Sequence, residues 1–203
     1  MVTKADKKPT IDGQANDDCW RYAMWLPLEQ RWTGTPFGYA DFEGKYKLSW
    51  TEDALYVLVT ISDDRKPSEP EKTDSLLFFL DTDNSGGNFT NGKNAFVIEL
   101  LPSERIQTIS KEGKRTNSNY PISYKYKEFN ELDIWELEIP LQNNNGELIQ
   151  LQNDQKIGFA IGYLDVDKGN TADNLIGSVV ITEDHKEIIF ENANYFGTLL
   201  LKN

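Results

Sequence analysis

Lys45-Tyr46-Lys47-Leu48-Ser49-Trp50-Thr51-Glu52-Asp53-Ala54-Leu55-Tyr56-Val57-Leu58-Val59-Thr60-Ile61-Ser62 is the stretch that decides the fold. Polar and apolar side chains alternate as far as Trp50, Thr51-Glu52-Asp53 has the composition of a turn, and a second β-branched and aromatic run follows. That is the pattern of a β-hairpin, closed by Asp63-Asp64.

Outward from the hairpin, period-two or wholly apolar runs recur. They predict strands at residues 75–80, 95–101, 122–126, 134–139, 158–164, 176–181 and 196–201. Ser75-Leu76-Leu77-Phe78-Phe79-Leu80 is apolar on both faces, as in a central strand covered on each side. Between the runs lie polar turn-rich segments at 67–72, 83–88, 143–146 and 167–170. Only Asn16 to Ala23 has a short helical rhythm, so a βαβ fold is disfavoured. The expected architecture is all-β, an antiparallel jelly-roll-like β-sandwich. No repeat or linker divides the chain, and residues 1–203 read as a single domain.

Composition narrows the function. With ten Phe, nine Tyr and five Trp the chain has ample material for a core. Its formal charge of −12 repels phosphate backbones, so nucleic acid is not an expected partner. No run approaches the roughly 20 apolar residues of a membrane span. Cys19 has no partner cysteine for a disulfide, and a single histidine, His185, rules out multi-His zinc sites and His-dependent triads.

Two motifs invite chemistry. Asp81-Thr82-Asp83-Asn84-Ser85-Gly86 places oxygens at alternate positions before a glycine, as a calcium loop does, with Asp81, Asp83 and Ser85 as ligands. The twelfth position of an EF-hand would be Gly92, so this is no EF-hand. It is either another calcium site, to which Asp165-Val166-Asp167 contributes, or a hairpin loop with Asx-capped turns. Glu131-Leu132-Asp133-Ile134-Trp135-Glu136 matches the E-x-D-x-x-E signature of jelly-roll β-glucanases, whose paired carboxylates act as nucleophile and acid/base. On a regular strand Glu131 and Asp133 share a face and Glu136 points away, so that chemistry needs a bulge at Ile134-Trp135.

Pro9-Thr10-Ile11-Asp12-Gly13 followed by Trp20 resembles the opening of the family 9 carbohydrate-binding modules. The later segments Leu48 to Leu58 with Asp63-Asp64, Asp74 to Asp81, Trp135 to Pro140, Gly158 to Asp165 and Phe196 to Leu199 agree in order. The resemblance implies a jelly-roll sandwich with calcium ions, attached to or working beside polysaccharide-degrading enzymes. It also implies a sugar held between two Trp rings. Here those ring positions fall at Glu71 and Phe190, and a polar Arg of the site falls on Val97. Trp32, Phe37 and Tyr39 lie in Arg31 to Tyr39, a loop longer than the family usually shows, which either builds a different platform or forms a satellite hydrophobic cluster under a long loop.

The leading expectation is a noncatalytic, secreted, periplasmic or cell-surface carbohydrate-binding module. Phe190, Trp32, Phe37 and Tyr39 are its candidate sugar contacts, and Asp81, Asp83 and Ser85 its candidate calcium ligands. The alternatives are a β-glucanase-like hydrolase using Glu131, Asp133 and Glu136, and a structural or protein-interaction sandwich without sugar binding.

Overall fold

A computed structural model describes residues 1–38, 41–65, 73–89, 95–110, 112–143, 145–167, 173–182 and 188–203. In chain order its elements begin with β1 (Val2–Thr3), α1 (Asp18–Tyr22), β2 (Leu26–Leu28), β3 (Gln30–Gly34), β4 (Phe42–Trp50), β5 (Leu55–Asp63), β6 (Ser75–Asp81) and β7 (Ala95–Leu100). They continue with β8 (Ile106–Ile109), β9 (Arg115–Asn117), β10 (Ser123–Phe129), β11 (Leu132–Ile139), β12 (Lys156–Asp165), β13 (Asn174–Gly177) and β14 (Gly197–Lys202).

The predicted hairpin is β4–β5, in register from Phe42↔Asp63 to Trp50↔Leu55. It belongs to a five-stranded sheet of order β10-β11-β5-β4-β2. The opposing nine-stranded sheet runs β1-β14-β12-β6-β7-β8-β9, with β13 and β3 extending from β12. The pairings are antiparallel except for β1, which pairs parallel with β14.

Alternation along each strand builds the core between the sheets. Val57, Val59 and Ile61 from β5 meet Leu76, Phe78 and Leu80 from β6 and Phe159 and Ile161 from β12. The opposite faces of these strands are buried too. Leu77 and Phe79 pack with Trp32, Leu175, Ile189 and Phe196 on the far side of the large sheet. Tyr56 and Leu58 pack with Trp20 on the far side of the small one. Trp20, Trp50, Phe78, Trp135 and Phe159 are buried, as alternation predicts, and Phe96 is half-buried against Tyr120 at 4.7 Å.

Several segments differ from the sequence expectation. The strand predicted at 176–181 is only β13, displaced to Asn174–Gly177. Ile188–Phe190 is a 3-10 turn and not an alternating strand, with Ile189 as its buried residue. Gln30–Gly34, expected within a long loop, is strand β3, paired to β13. The loop predicted at 67–72 lies outside the described residues.

The small sheet's outer cover depends on one buried carboxylate. Glu136 accepts hydrogen bonds from the Trp20 indole N–H at 2.8 Å and from the backbone N–H groups of Asp12 and Gly13, each at 3.0 Å. It thereby ties α1 and the N-terminal segment to β11. Burial raises its pKa against the pull of those three donors. All three partners are donors, so an amide places its NH2 against an N–H in either orientation. Glu136→Gln is therefore expected to lower stability by about 1 to 3 kcal/mol. Urea unfolding followed by far-UV circular dichroism checks this, and an unchanged midpoint would contradict the staple.

Candidate functional site

An open cleft of about 640 Å³ runs along β7 and β8 of the large sheet. Phe190 and Val97 line it, together with Phe96, Thr108, Lys114 and Tyr120. The 3-10 turn Ile188–Phe190 presents the Phe190 ring, and two backbone hydrogen bonds fix the neighbouring chain, Phe89 N–H to Glu191 O at 2.9 Å and Ala193 N–H to Gly87 O at 2.8 Å. The ring is half-buried, edge-on to Phe79 at 5.2 Å. Phe190 thus packs on the core with one part of its surface and lines the cleft with another. Val97 is almost wholly buried, so the wall is apolar where the resemblance puts an Arg. Glu71 lies outside the described residues.

The other predicted aromatic contacts separate. Trp32 is completely buried, edge-on to Phe79 at 5.4 Å, with its indole N–H donating to Val179 O at 2.8 Å. Its ring lies against Gly162 and Gly177, which face one another across β12 and β13. A Cβ at Gly162 would already stand 3.1 Å from the Trp32 ring, and one at Gly177 would overlap it. Trp32 is therefore a core residue and offers no sugar platform, because the paired glycines draw the ring flat onto the sheet. Phe37 is half-buried against Phe42 at 5.6 Å and lines a second groove, described below. Tyr39 lies outside the described residues, as does His185.

The glucanase signature does not assemble. β11 pairs without a register shift to both β10 and β5. Asp133 consequently faces the core, accepting from the Tyr126 hydroxyl at 2.7 Å, while Glu136 faces the opposite way into its three donors. Glu131 sits in the preceding turn at φ 64°. The bulge that would bring these carboxylates together is absent from β11. Cys19 offers no substitute nucleophile, since burial pushes its thiol up to about 12.

The acidic residues assemble differently from the expected loop. Asp63 at the end of β5, Asp74 just before β6 and Asp165 at the end of β12 bring carboxylate oxygens within 4.8 Å of one another. Asp63, Asp64 and Asp167 form an overlapping group. Asp63 accepts from Arg65 N–H at 3.1 Å and Tyr163 O–H at 3.2 Å, and Asp74 accepts from Val166 N–H at 2.9 Å. Asp165 accepts from the Asn174 amide at 3.2 Å, and its other oxygen is buried without a partner among the described residues. The Asn174 side-chain oxygen is likewise buried and unpartnered. Desolvation, with mutual repulsion added, pushes Asp63 and Asp74 up to about 7 and Asp165 up to about 6. Hard oxygens gathered at this spacing fit an ion such as calcium.

The Asp81–Gly86 loop closes largely on itself. Asp81 accepts from Gly86 N–H at 2.7 Å, five residues on, and Asp83 from Ser85 N–H at 3.1 Å, the latter an Asx-turn contact. One Asp81 oxygen remains buried and unpartnered. In sequence Asp63-Asp64 marks the end of a hairpin and one segment of the family resemblance. The local signal for the cluster is that acidic pairs end two strands, β5 and β12, that feed the same end of the sandwich.

The sequence profile of the family described as "Carbohydrate family 9 binding domain-like" matches residues 11–203. The chain is 25% identical over 203 residues to endo-1,4-beta-xylanase C of Paenibacillus barcinonensis, and the match covers 95% of this chain but 16% of that enzyme's length. A family 9 carbohydrate-binding module of Caldicellulosiruptor kristjanssonii, solved with glucose, superposes with a TM-score of 0.75 at 21% identity, covering 100% of this chain and 95% of that one. A family 9 carbohydrate-binding module of the same organism, solved with cellotriose, gives a TM-score of 0.74 at 21% identity, covering 100% of this chain and 92% of that one. No helix among the described residues is long and apolar enough to cross a membrane.

Proposed function

The chain belongs to the carbohydrate family 9 binding domain-like family, and from that membership we propose that it is a noncatalytic module binding a poly- or oligosaccharide. The observation that carries this reading is the Phe190 ring, held by a 3-10 turn at the side of an open cleft. An apolar sugar face stacks on such a ring while Lys114, which also lines the cleft, offers hydrogen bonds to its rim. The relatives' ligands, glucose and cellotriose, make β-linked glucans the first sugars to try here. A role beside a polysaccharide-degrading enzyme, outside the cell or at its surface, follows from the similarity to a xylanase of which this chain matches only a part.

Calcium is the second element of the reading. Asp63, Asp74 and Asp165 would hold the ion, with Asp64 and Asp167 beside them, and Asp81 with Asp83 and Ser85 offers a lesser site. The ion would supply charge compensation to the buried carboxylates, in addition to that which Arg65 gives Asp64 and Asp167, each at 3.8 Å.

Phe190→Leu keeps much of the packing on Phe79 and removes the ring. Affinity for cellotriose or xylotriose, measured by calorimetry on folded protein, is expected to fall about tenfold, the equivalent of one aromatic contact. Unchanged affinity would remove Phe190 from the site.

Protonation gives a separate test of the metal. Because the folded-state pKa values of Asp63, Asp74 and Asp165 are raised, the folded chain binds more protons than the unfolded one between roughly pH 4 and pH 7. Their contribution to stability is therefore greatest at the acid end of that window and is lost as pH rises through the folded values. In chelator, the melting temperature should fall between pH 5 and pH 8 beyond the fall shown by Asp165→Asn. Calcium should restore it more at pH 8 than at pH 5. Equal melting curves with chelator and with calcium at pH 8 would rule the site out.

A further inference from the structure

The outermost strand of the small sheet, β2, borders a second groove of about 560 Å³ that shares no lining residue with the Phe190 cleft. Trp25, immediately before β2, and Phe37 are aromatic groups of its wall. Trp25 leaves 41% of its surface in solvent, although tryptophan is usually a heavily buried residue. The indole is nevertheless held in place. The ammonium groups of Lys47 and Lys45 lie 4.7 and 5.4 Å from its ring centroid, and Lys47 also donates to Trp20 O. A ring held by two cation–π contacts loses little freedom when a ligand stacks on it. Around it stand Glu29, Gln30 and Glu43, side chains that hydrogen-bond hydroxyl groups as acceptors and, for Gln30, also as donor.

The same residues discriminate between occupants. Pro27 lies in the middle of the edge strand, opposite Lys45, and has no N–H to offer an incoming strand. Peptide addition to this edge is thereby blocked. An apolar protein surface would desolvate Glu29 and the Glu43–Lys45 ion pair, closed at 3.2 Å, without adding a partner to either, and the chain's formal charge of −12 opposes nucleic acid. Exposed aromatic carbon beside carboxylate and amide groups matches a ligand with apolar faces and a hydroxyl rim.

We propose that this groove is a second carbohydrate-binding site, centred on Trp25 and taking a neutral polysaccharide segment independently of the Phe190 cleft.

The test follows the backbone amide signals and the five indole N–H signals by NMR while cellohexaose, and separately xylohexaose, is titrated in, with Trp25 assigned through Trp25→Phe and the cleft followed through the amides of its lining residues. The Trp25 signal is expected to shift saturably in wild type and equally in Phe190→Leu. Trp25→Ala, compared with wild type after circular dichroism confirms that it is folded, is expected to weaken retention by immobilised β-glucan or xylan about tenfold. Binding that moves Phe190-cleft resonances and leaves the Trp25 signal still would overturn the second site while leaving the module's function intact. Silence throughout the spectrum with both sugars would overturn both. A Trp25→Ala variant that changes self-association in sedimentation, with sugar retention unchanged, would make the groove an interface between copies and overturn the proposal.

Discussion

Strands β5, β6 and β12 of this sandwich are buried on both faces along most of their length, and most of the remaining structure answers to that. Leu76, Phe78 and Leu80 point into the space between the sheets while Leu77 and Phe79 point away from it, and all are fully buried. β5 repeats the arrangement with Val57, Val59 and Ile61 inward and Tyr56 and Leu58 outward. Each fully buried residue of this size is worth about 1.5 to 3 kcal/mol when withdrawn from water, so an uncovered outer face would forfeit several such terms. A two-layer sandwich therefore needs outer covers. On the small sheet the cover is α1 with Trp20, tied down by Glu136. On the large sheet it is Trp32 and the 3-10 turns that end in Phe190 and Tyr195. Phe190 reaches the cleft because it belongs to this outer cover.

The buried carboxylates are satisfied unequally, and the inequality separates structure from site. Glu136 has three donors. Glu99 is met by the Ser75 hydroxyl at 2.9 Å and by two Arg115 contacts at 2.5 and 3.0 Å. Asp133 accepts from Tyr126. Those groups are complete as they stand, as buried polar atoms must be when their task is to hold the fold. Asp165 is not complete, and among the described residues the charged groups that act on it are the carboxylates of Asp167, Asp173 and Asp41. Like charges kept together in a dry place lower stability unless something of opposite sign joins them, so this cluster is hard to account for as packing alone.

Much of the fold was legible because period-two alternation reports burial directly. The β4–β5 hairpin, the doubly apolar β6 and the short helix near Trp20 stand where alternation and rhythm put them. Short strands such as β2, β8 and β9 were missed, since three or four residues at an edge carry too few alternations to be distinguished from loop. The site was less legible. Trp32 reads like Trp25 in sequence, yet one is a core residue and the other half-open. What separates them is Gly162 opposite Gly177, a pairing across strands that no local window contains. Glycines inside strand patterns were the available signal, because such positions mark close approach by another group. The Asp63–Asp74–Asp165 cluster was hidden for the same reason, three strand ends meeting from distant parts of the chain.

The proposed sites also share a physical limit that bears on what the module can recognise. A ring stacked on one side contributes on the order of 1 kcal/mol beyond the area it covers, so either groove alone gives weak binding to a short sugar. The Phe190 cleft lies along β7 and β8 of one sheet and the Trp25 groove along the edge strand of the other, so they need not compete for the same sugar units. On a polysaccharide, a chain or neighbouring chains that engage one groove hold the other at high effective concentration of ligand, and retention then exceeds what either contact supplies. A free monosaccharide gains nothing from the second groove. Weak individual contacts on separate faces are consequently compatible with firm attachment to a polymer, while leaving each contact able to release and rebind along it.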